Sequence, residues 1–133
     1  MTDIFNRNFT DIATAVRSQF PGTFVTGERL NKPSQFPCVM VVEADSYEDE
    51  QYVDNTLKEN VTALLYDITV FSNKTEGKRS ECIEILSAVD DVMRMKNAHR
   101  FARAEGYFDS ESTIYMVTGR YRLKTDGDLY YSF

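Results

Sequence analysis

Tryptophan is missing, histidine occurs once, cysteine twice and proline three times in 133 residues. Each scarcity removes a class of protein. Cys38 and Cys82 form neither a CxxC pair nor any metal-ligand spacing, so neither a disulfide framework nor a zinc site is indicated, and buried, reduced thiols are expected. The lone histidine, His99, stands beside Arg100 with no nucleophile or carboxylate set by sequence to work with it. It reads as a surface or helix-end residue rather than a general base or metal ligand. No GxSxG, HExxH, phosphate-binding loop or dinucleotide fingerprint occurs, so nothing in the chain proposes an enzyme or a cofactor. The longest strongly apolar run, Cys38 to Val42, is far too short to span a membrane. The opening MTDIFNRNF has neither the basic start nor the apolar block of a secretory signal. Synthesis and folding in a cytoplasm are expected. The net charge of −6 opposes indiscriminate binding to free nucleic acid or anionic lipid.

What is present is a globular composition. Aromatic residues make up 13% of the chain, nine Phe and eight Tyr, too many for a disordered polymer. The length suits a single domain over residues 1–133, large enough to bury a core without a covalent staple. The clearest local signal is VTALLYDITVFS, Val61 to Ser72. Leu64, Tyr66, Ile68 and Val70 alternate with Leu65, Asp67, Thr69 and Phe71, the period of a half-buried strand. Lys78 to Asn97 follows with Cys82, Ile85, Leu86, Val89, Val92 and Met93 on one helical face, widened by Ile83. Arg94 and Lys96 suit the helix dipole in its last turn, and Asn97 can end it. A first helix is expected over Asp3 to Gln19, capped by Thr2, with an apolar stripe from Ile4 to Phe20 and a stop at Pro21-Gly22.

The remaining segments are weaker. Thr23 to Thr26 reads as a short strand and Gly27 to Gln35 as loop. The run after Phe36-Pro37, Cys38 to Glu43, reads as a strand, with Val39 to Val42 apolar enough to suggest burial on both faces. Phe101 to Phe108 is a weak strand because of Gly106, and Ser112 to Lys124 a long one. Asp126-Gly127 signals a tight turn into a last strand, Leu129 to Phe133. The expected fold is α+β: a twisted, largely antiparallel (mixed) β-sheet with two α-helices packed on one face.

Three charged constellations stand out. Glu43 to Asp54 holds Glu43, Asp45, Glu48, Asp49, Glu50 and Asp54 without a Lys or Arg. Counted from Asp45, the positions that a calcium loop needs as Gly and Glu are Glu50 and Thr56, so the run reads as a solvated or partner-facing loop or strand extension. Asp90-Asp91 sits inside the second helix, where adjacent residues point about 100° apart and make no carboxylate dyad. Should Asp90 approach the buried face it needs a hydrogen-bonding partner. Arg120, Arg122 and Lys124, two apart, put three positive charges on one strand face. That face is either solvated or meets acid, such as the acidic run of a neighbouring copy, or passing phosphate.

The strings QFPCVMVVEADSY, LLYDITVFSNKTEGKRSECIEILSAVDDVM and YMVTGRYRLKTDGDLYY, with the order of elements, resemble the small tail completion proteins of long-tailed bacteriophages: the tail terminators and the similar minor capsid or head–tail joining proteins. The resemblance covers most of the chain from Gln35 onward and includes no catalytic signature. It implies a non-enzymatic virion component of the tail or neck, assembled in the host cytoplasm. In that reading six copies form a ring at the head-proximal end of the tail, cap the tube and meet the head connector. Its partners would be its own copies, the tail tube protein and the connector proteins, with DNA passing through the lumen without sequence-specific binding and no membrane involved. Asp45, Glu48, Asp49, Glu50 and Asp54 would lie in a segment engaging a neighbour or the tube. Arg120, Arg122 and Lys124 would face a subunit contact or the lumen. A head–tail adaptor or tube subunit is the alternative within the same machinery. A small cytosolic enzyme or ligand-binding module is the alternative of another class, and would need a concave pocket with convergent polar groups.

Overall fold

The computed structural model describes residues 4–29, 32–48, 61–126 and 129–131. Its elements run α1 (Ile4–Gln19), β1 (Phe24–Thr26), β2 (Cys38–Glu48), β3 (Thr62–Ser72), α2 (Lys78–Met95), β4 (His99–Tyr107), β5 (Tyr115–Thr125) and β6 (Tyr130–Tyr131). The strands form one six-stranded sheet in the order β1-β2-β3-β5-β4, with β6 added to β5. Only β1 and β2 run parallel; the other pairs are antiparallel. The α+β sheet with its two helices is the expected one. The expected Thr2 cap and Asp3 lie outside the described residues, as do Gly127 and the last two residues of the expected final strand.

Alternation in β3 decides which face is core. Tyr66, Ile68 and Val70 are fully buried and Leu64 nearly so. Register carries that face sideways: Val41 stands opposite Ile68 and Val39 opposite Val70 on β2, and Val117 opposite Val70 on β5. Ile12 and Val16 of α1 and Ile85, Leu86 and Val89 of α2 close over this surface to make one continuous core. Both helices therefore lie on the same side. At about 25 cal/mol per Å² this burial is the principal stabilising term.

The helix ends have identifiable causes. Asn97 takes a positive φ of 58°. Its N–H donates to Arg94 O and that of Ala98 to Met93 O, both at 3.0 Å, the paired bonds of a Schellman stop. At the other end Gly77, at φ 79°, precedes α2 without a side-chain cap, and glycine alone occupies that left-handed region without strain.

Two expectations change. Val39 and Val41 are fully buried, but Met40 and Val42, on the opposite face, are half-buried; among the described residues no helix covers that side, so the run is not fully enclosed on both faces. Strand β4 begins at His99, not Phe101. Eight of its nine residues are exposed, so it lacks the apolar alternation that marks a half-buried strand.

One end of the open sheet face is closed by a second apolar cluster. Cys38, Phe71 and Ile114 are buried there, with Phe36 and Phe108 packed against them. Phe71 and Phe108 meet edge to face at 5.5 Å between centroids. The Asp109 carboxylate orders the loop that brings Ile114 in, accepting the N–H groups of Thr113 at 2.9 Å and Ile114 at 3.1 Å.

Candidate assembly surface

The three basic residues of β5 do not form the exposed stripe that their spacing suggests. Arg120 is exposed, but register places it opposite Asp67 of β3, and its Nε donates to Asp67 Oδ1 at 3.0 Å. Arg122 is half-buried and its guanidinium lies 4.8 Å from the Phe101 ring centroid, a cation–π distance. Lys124 is 6% exposed, and β6 pairs alongside it, with Tyr131 opposite. Cross-strand neighbours thus lie against Arg120 and Arg122 within one chain, and only part of the face is open to solvent. Their spacing fixed the face; the partners depended on a register that spacing does not contain.

Of the acidic residues, Asp45 and Glu48 are on the outer half of β2, after a register irregularity between Glu43 and Asp45. Asp49, Glu50 and Asp54 lie outside the described residues. Asp45 stands opposite Leu65, and Leu65 opposite Arg122. The acidic and basic positions thus share one row of the sheet, two strand spacings or roughly 10 Å apart.

Three polar clusters were not legible beforehand. The largest centres on the Tyr130 hydroxyl. It accepts from Arg7 at 3.0 Å and from Lys96 at 3.3 Å, and donates to Asn8 Oδ1 at 2.6 Å. Asn8, fully buried, donates in turn to the Tyr66 hydroxyl at 3.0 Å. Lys96 donates to Asp11 at 2.6 Å. This cluster ties α1, the end of α2, β3 and β6 together. In the second cluster Asp90 accepts from the Tyr121 hydroxyl and, at 2.8 Å, from Arg100. The partner that an inward-leaning Asp90 requires is therefore present. Burial pushes the Tyr121 phenol up, reinforced by its bond to Asp90. In the third, Glu105 accepts from Arg79 at 2.6 Å and from the Tyr115 hydroxyl at 3.0 Å. The Arg79 hydrogen bond holds the Glu105 carboxyl below its ordinary range.

These clusters join elements; they do not converge on a deep cleft. A hollow of about 200 Å³ lies among Asp90, Arg94, Arg100 and Tyr121, and its acid and phenol are already bonded to each other. A wider one of about 520 Å³ lies beside Lys78, Arg79, Tyr107 and Tyr115. His99 is exposed at the start of β4. Both cysteines are buried and free. Burial pushes the Cys38 thiol up to about 11 and, with the nearby Glu81 and Glu105 charges, Cys82 up to about 12. Among the described residues no helix is long and apolar enough to cross a membrane.

The sheet is where the fold stays unfinished. Helices cover one face. The other exposes Arg120 in its middle, and among the described residues it buries Cys38 and Phe71 at one end and Ala63 and Lys124 at the other. At one margin the whole outer side of β4 has no strand beside it among the described residues; at the other, β1 covers β2 only from Cys38 to Met40. No protein-family model matches the chain, and no curated protein matches it.

Proposed function

We propose that this chain is a structural virion protein, a tail terminator or tail completion protein. Copies of it form a hexameric ring at the head-proximal end of a phage tail, capping the tube and joining it to the head connector. The observation that supports this best is the division of the surface. Most of the sheet's apolar capacity is spent under the helices, while the middle of the opposite face and two strand margins are left able to meet other chains. A ring needs unlike patches that fit each other on successive copies, and a sheet with two dissimilar margins offers them. The resemblance of the Gln35-onward strings to tail completion proteins supplies the biological setting. In this reading the protein works by shape, without catalysis. DNA passes through the lumen without sequence-specific contact, which the net charge of −6 favours.

Native mass spectrometry and negative-stain microscopy of the purified chain, alone and with tail tubes, test the proposal. The expected result is a closed ring of one defined size that sits on a tube end and blocks further tube growth. A strict monomer that never binds tubes overturns it.

A further inference from the structure

We infer that successive copies join edge to edge, the outer margin of β4 on one copy pairing with the outer half of β2, Val41 to Glu48, on the next, so that one sheet continues through the assembly. This rests on the ring reading above and specifies its contact.

Strand β4 is an unusual margin. It runs nine residues, His99–Tyr107, without a proline or a lysine, and eight of the nine are exposed. Isolated folds normally blunt such a margin with charge, proline, a bulge or a cover. Here one register irregularity, between Arg100 and Ala102, is all that the ladder shows. Its charges are held locally: Arg100 reaches Asp90 on α2, and Arg103 lies 3.5 Å from Glu105 of the same strand. What remains along the strand is small or apolar. Ala102 and Ala104 are exposed, and Phe101 and Tyr107 are 40% and 55% exposed, two of the four exposed large apolar side chains among the described residues. Small residues admit an approaching backbone, and flanking rings add contact area.

The occupant follows from charge. Strand β4 carries Arg100 and Arg103 against Glu105, a small positive balance. The outer half of β2 carries Asp45 and Glu48 and no cation. It is also of a length to match: β1 stops at Met40, and β2 continues to Glu48 with β3 on one side and no strand on the other among the described residues. The two margins belong to one sheet, are unlike each other and are opposite in sign. That is the requirement for head-to-tail joining of identical chains, and it disfavours pairing of like margins.

Cross-linking tests the contact directly, since the buried native thiols leave engineered ones as the reactive pair. Ala104→Cys and Ser46→Cys chains are prepared separately, mixed, and treated with a short bismaleimide. The expected product is a covalent dimer containing one chain of each kind, abundant in the mixture and scarce with either variant alone. In parallel, Arg103→Glu is expected to raise the concentration for half-assembly at least about tenfold at low salt, where charge is least screened, and Asp45→Lys in the same chain to restore it. Circular dichroism of each variant confirms that it is folded. Rings that form normally with Arg103→Glu and give no mixed cross-link overturn edge pairing and leave the ring reading standing. Open filaments carrying the mixed cross-link support edge pairing and overturn the closed ring. Chains that stay monomeric overturn both.

Discussion

Replacing Gly119 by alanine sets local propensity against packing, and the two predict opposite signs. Glycine inside a strand costs about 0.5–1 kcal/mol relative to alanine through backbone entropy, so on propensity alone the exchange stabilises. In the structure a Cβ at Gly119 would lie 2.9 Å from both Cε1 and the hydroxyl oxygen of Tyr121. The glycine is the flat place over which that ring lies, two residues along the same strand face. The ring has little freedom to move away: Tyr121 is 1% exposed and its hydroxyl is donated to Asp90, which also holds Arg100. Overpacking of this kind costs about 1–3 kcal/mol, and loss of the bond to a charged acceptor about 1.5–3 kcal/mol more if the ring is displaced. After subtracting the propensity gain, Gly119→Ala should destabilise the fold by about 1.5–5.5 kcal/mol with the ring displaced. Urea unfolding at constant m should show the midpoint falling by roughly 0.5–2 M. In a Tyr121→Leu background the same exchange should be neutral or stabilising, a coupling above about 1 kcal/mol between the two positions. A Gly119→Ala chain as stable as the parent, with unchanged m, would falsify the account of this corner of the core.

Leu86→Ala should cost about 2–5 kcal/mol, since Leu86 is 2% exposed between α2 and the sheet; a loss below 1 kcal/mol in urea would mean that the site collapses around the gap. With Cys38 raised to about 11 and Cys82 to about 12, each thiol holds at least roughly a hundredfold less thiolate at pH 8 than an ordinary cysteine. Native protein should therefore resist a maleimide that labels both residues in urea, and rapid native labelling would contradict their burial. Acid should weaken the fold through Glu105 and Asp109. Both carboxyls lie below their ordinary values of 4.5 and 3.8, Glu105 chiefly through Arg79 and Asp109 chiefly through Thr113. A lowered folded-state pKa gives stability that is present above the ordinary value and is lost as pH falls through the folded one. Urea midpoints should thus drop between pH 5 and pH 3, and Glu105→Gln should flatten that slope; an identical slope in the variant would remove Glu105 from the explanation.

How far the sequence could be read depended on whether burial left a mark on it. Strand β3 was plain because one of its faces is sealed by helices, so Leu64, Tyr66, Ile68 and Val70 had to be apolar. The end of α2 was plain because only a residue tolerant of positive φ, such as Asn97, suits that stop. The start of β4 left no mark, since exposure relieves HRFARAEGY of any alternation. Lys96 was misleading in another way. Its place in the last turn suited the helix dipole, yet its side chain is 9% exposed and bonded to Asp11, 85 residues earlier. No local pattern announces a contact of that separation.

The same distinction separates the readable part of the candidate surface from the rest. A spacing of two correctly put Arg120, Arg122 and Lys124 on one side of β5, but what each touches is set by the strand beside it. Asp67 neutralises the first, Phe101 underlies the second and β6 runs beside the third. A charge with a partner inside its own chain has already been desolvated in part, so these cations, like Arg100 and Arg103 of β4, give a second chain orientation more than affinity. An unpaired run of backbone donors and acceptors behaves differently. Each strand already in the sheet meets that demand on its inner side and presents it again on its outer side, so the demand is met only by water or by another strand. The margins of this sheet are therefore stronger candidates for a subunit contact than the charged face that drew attention first.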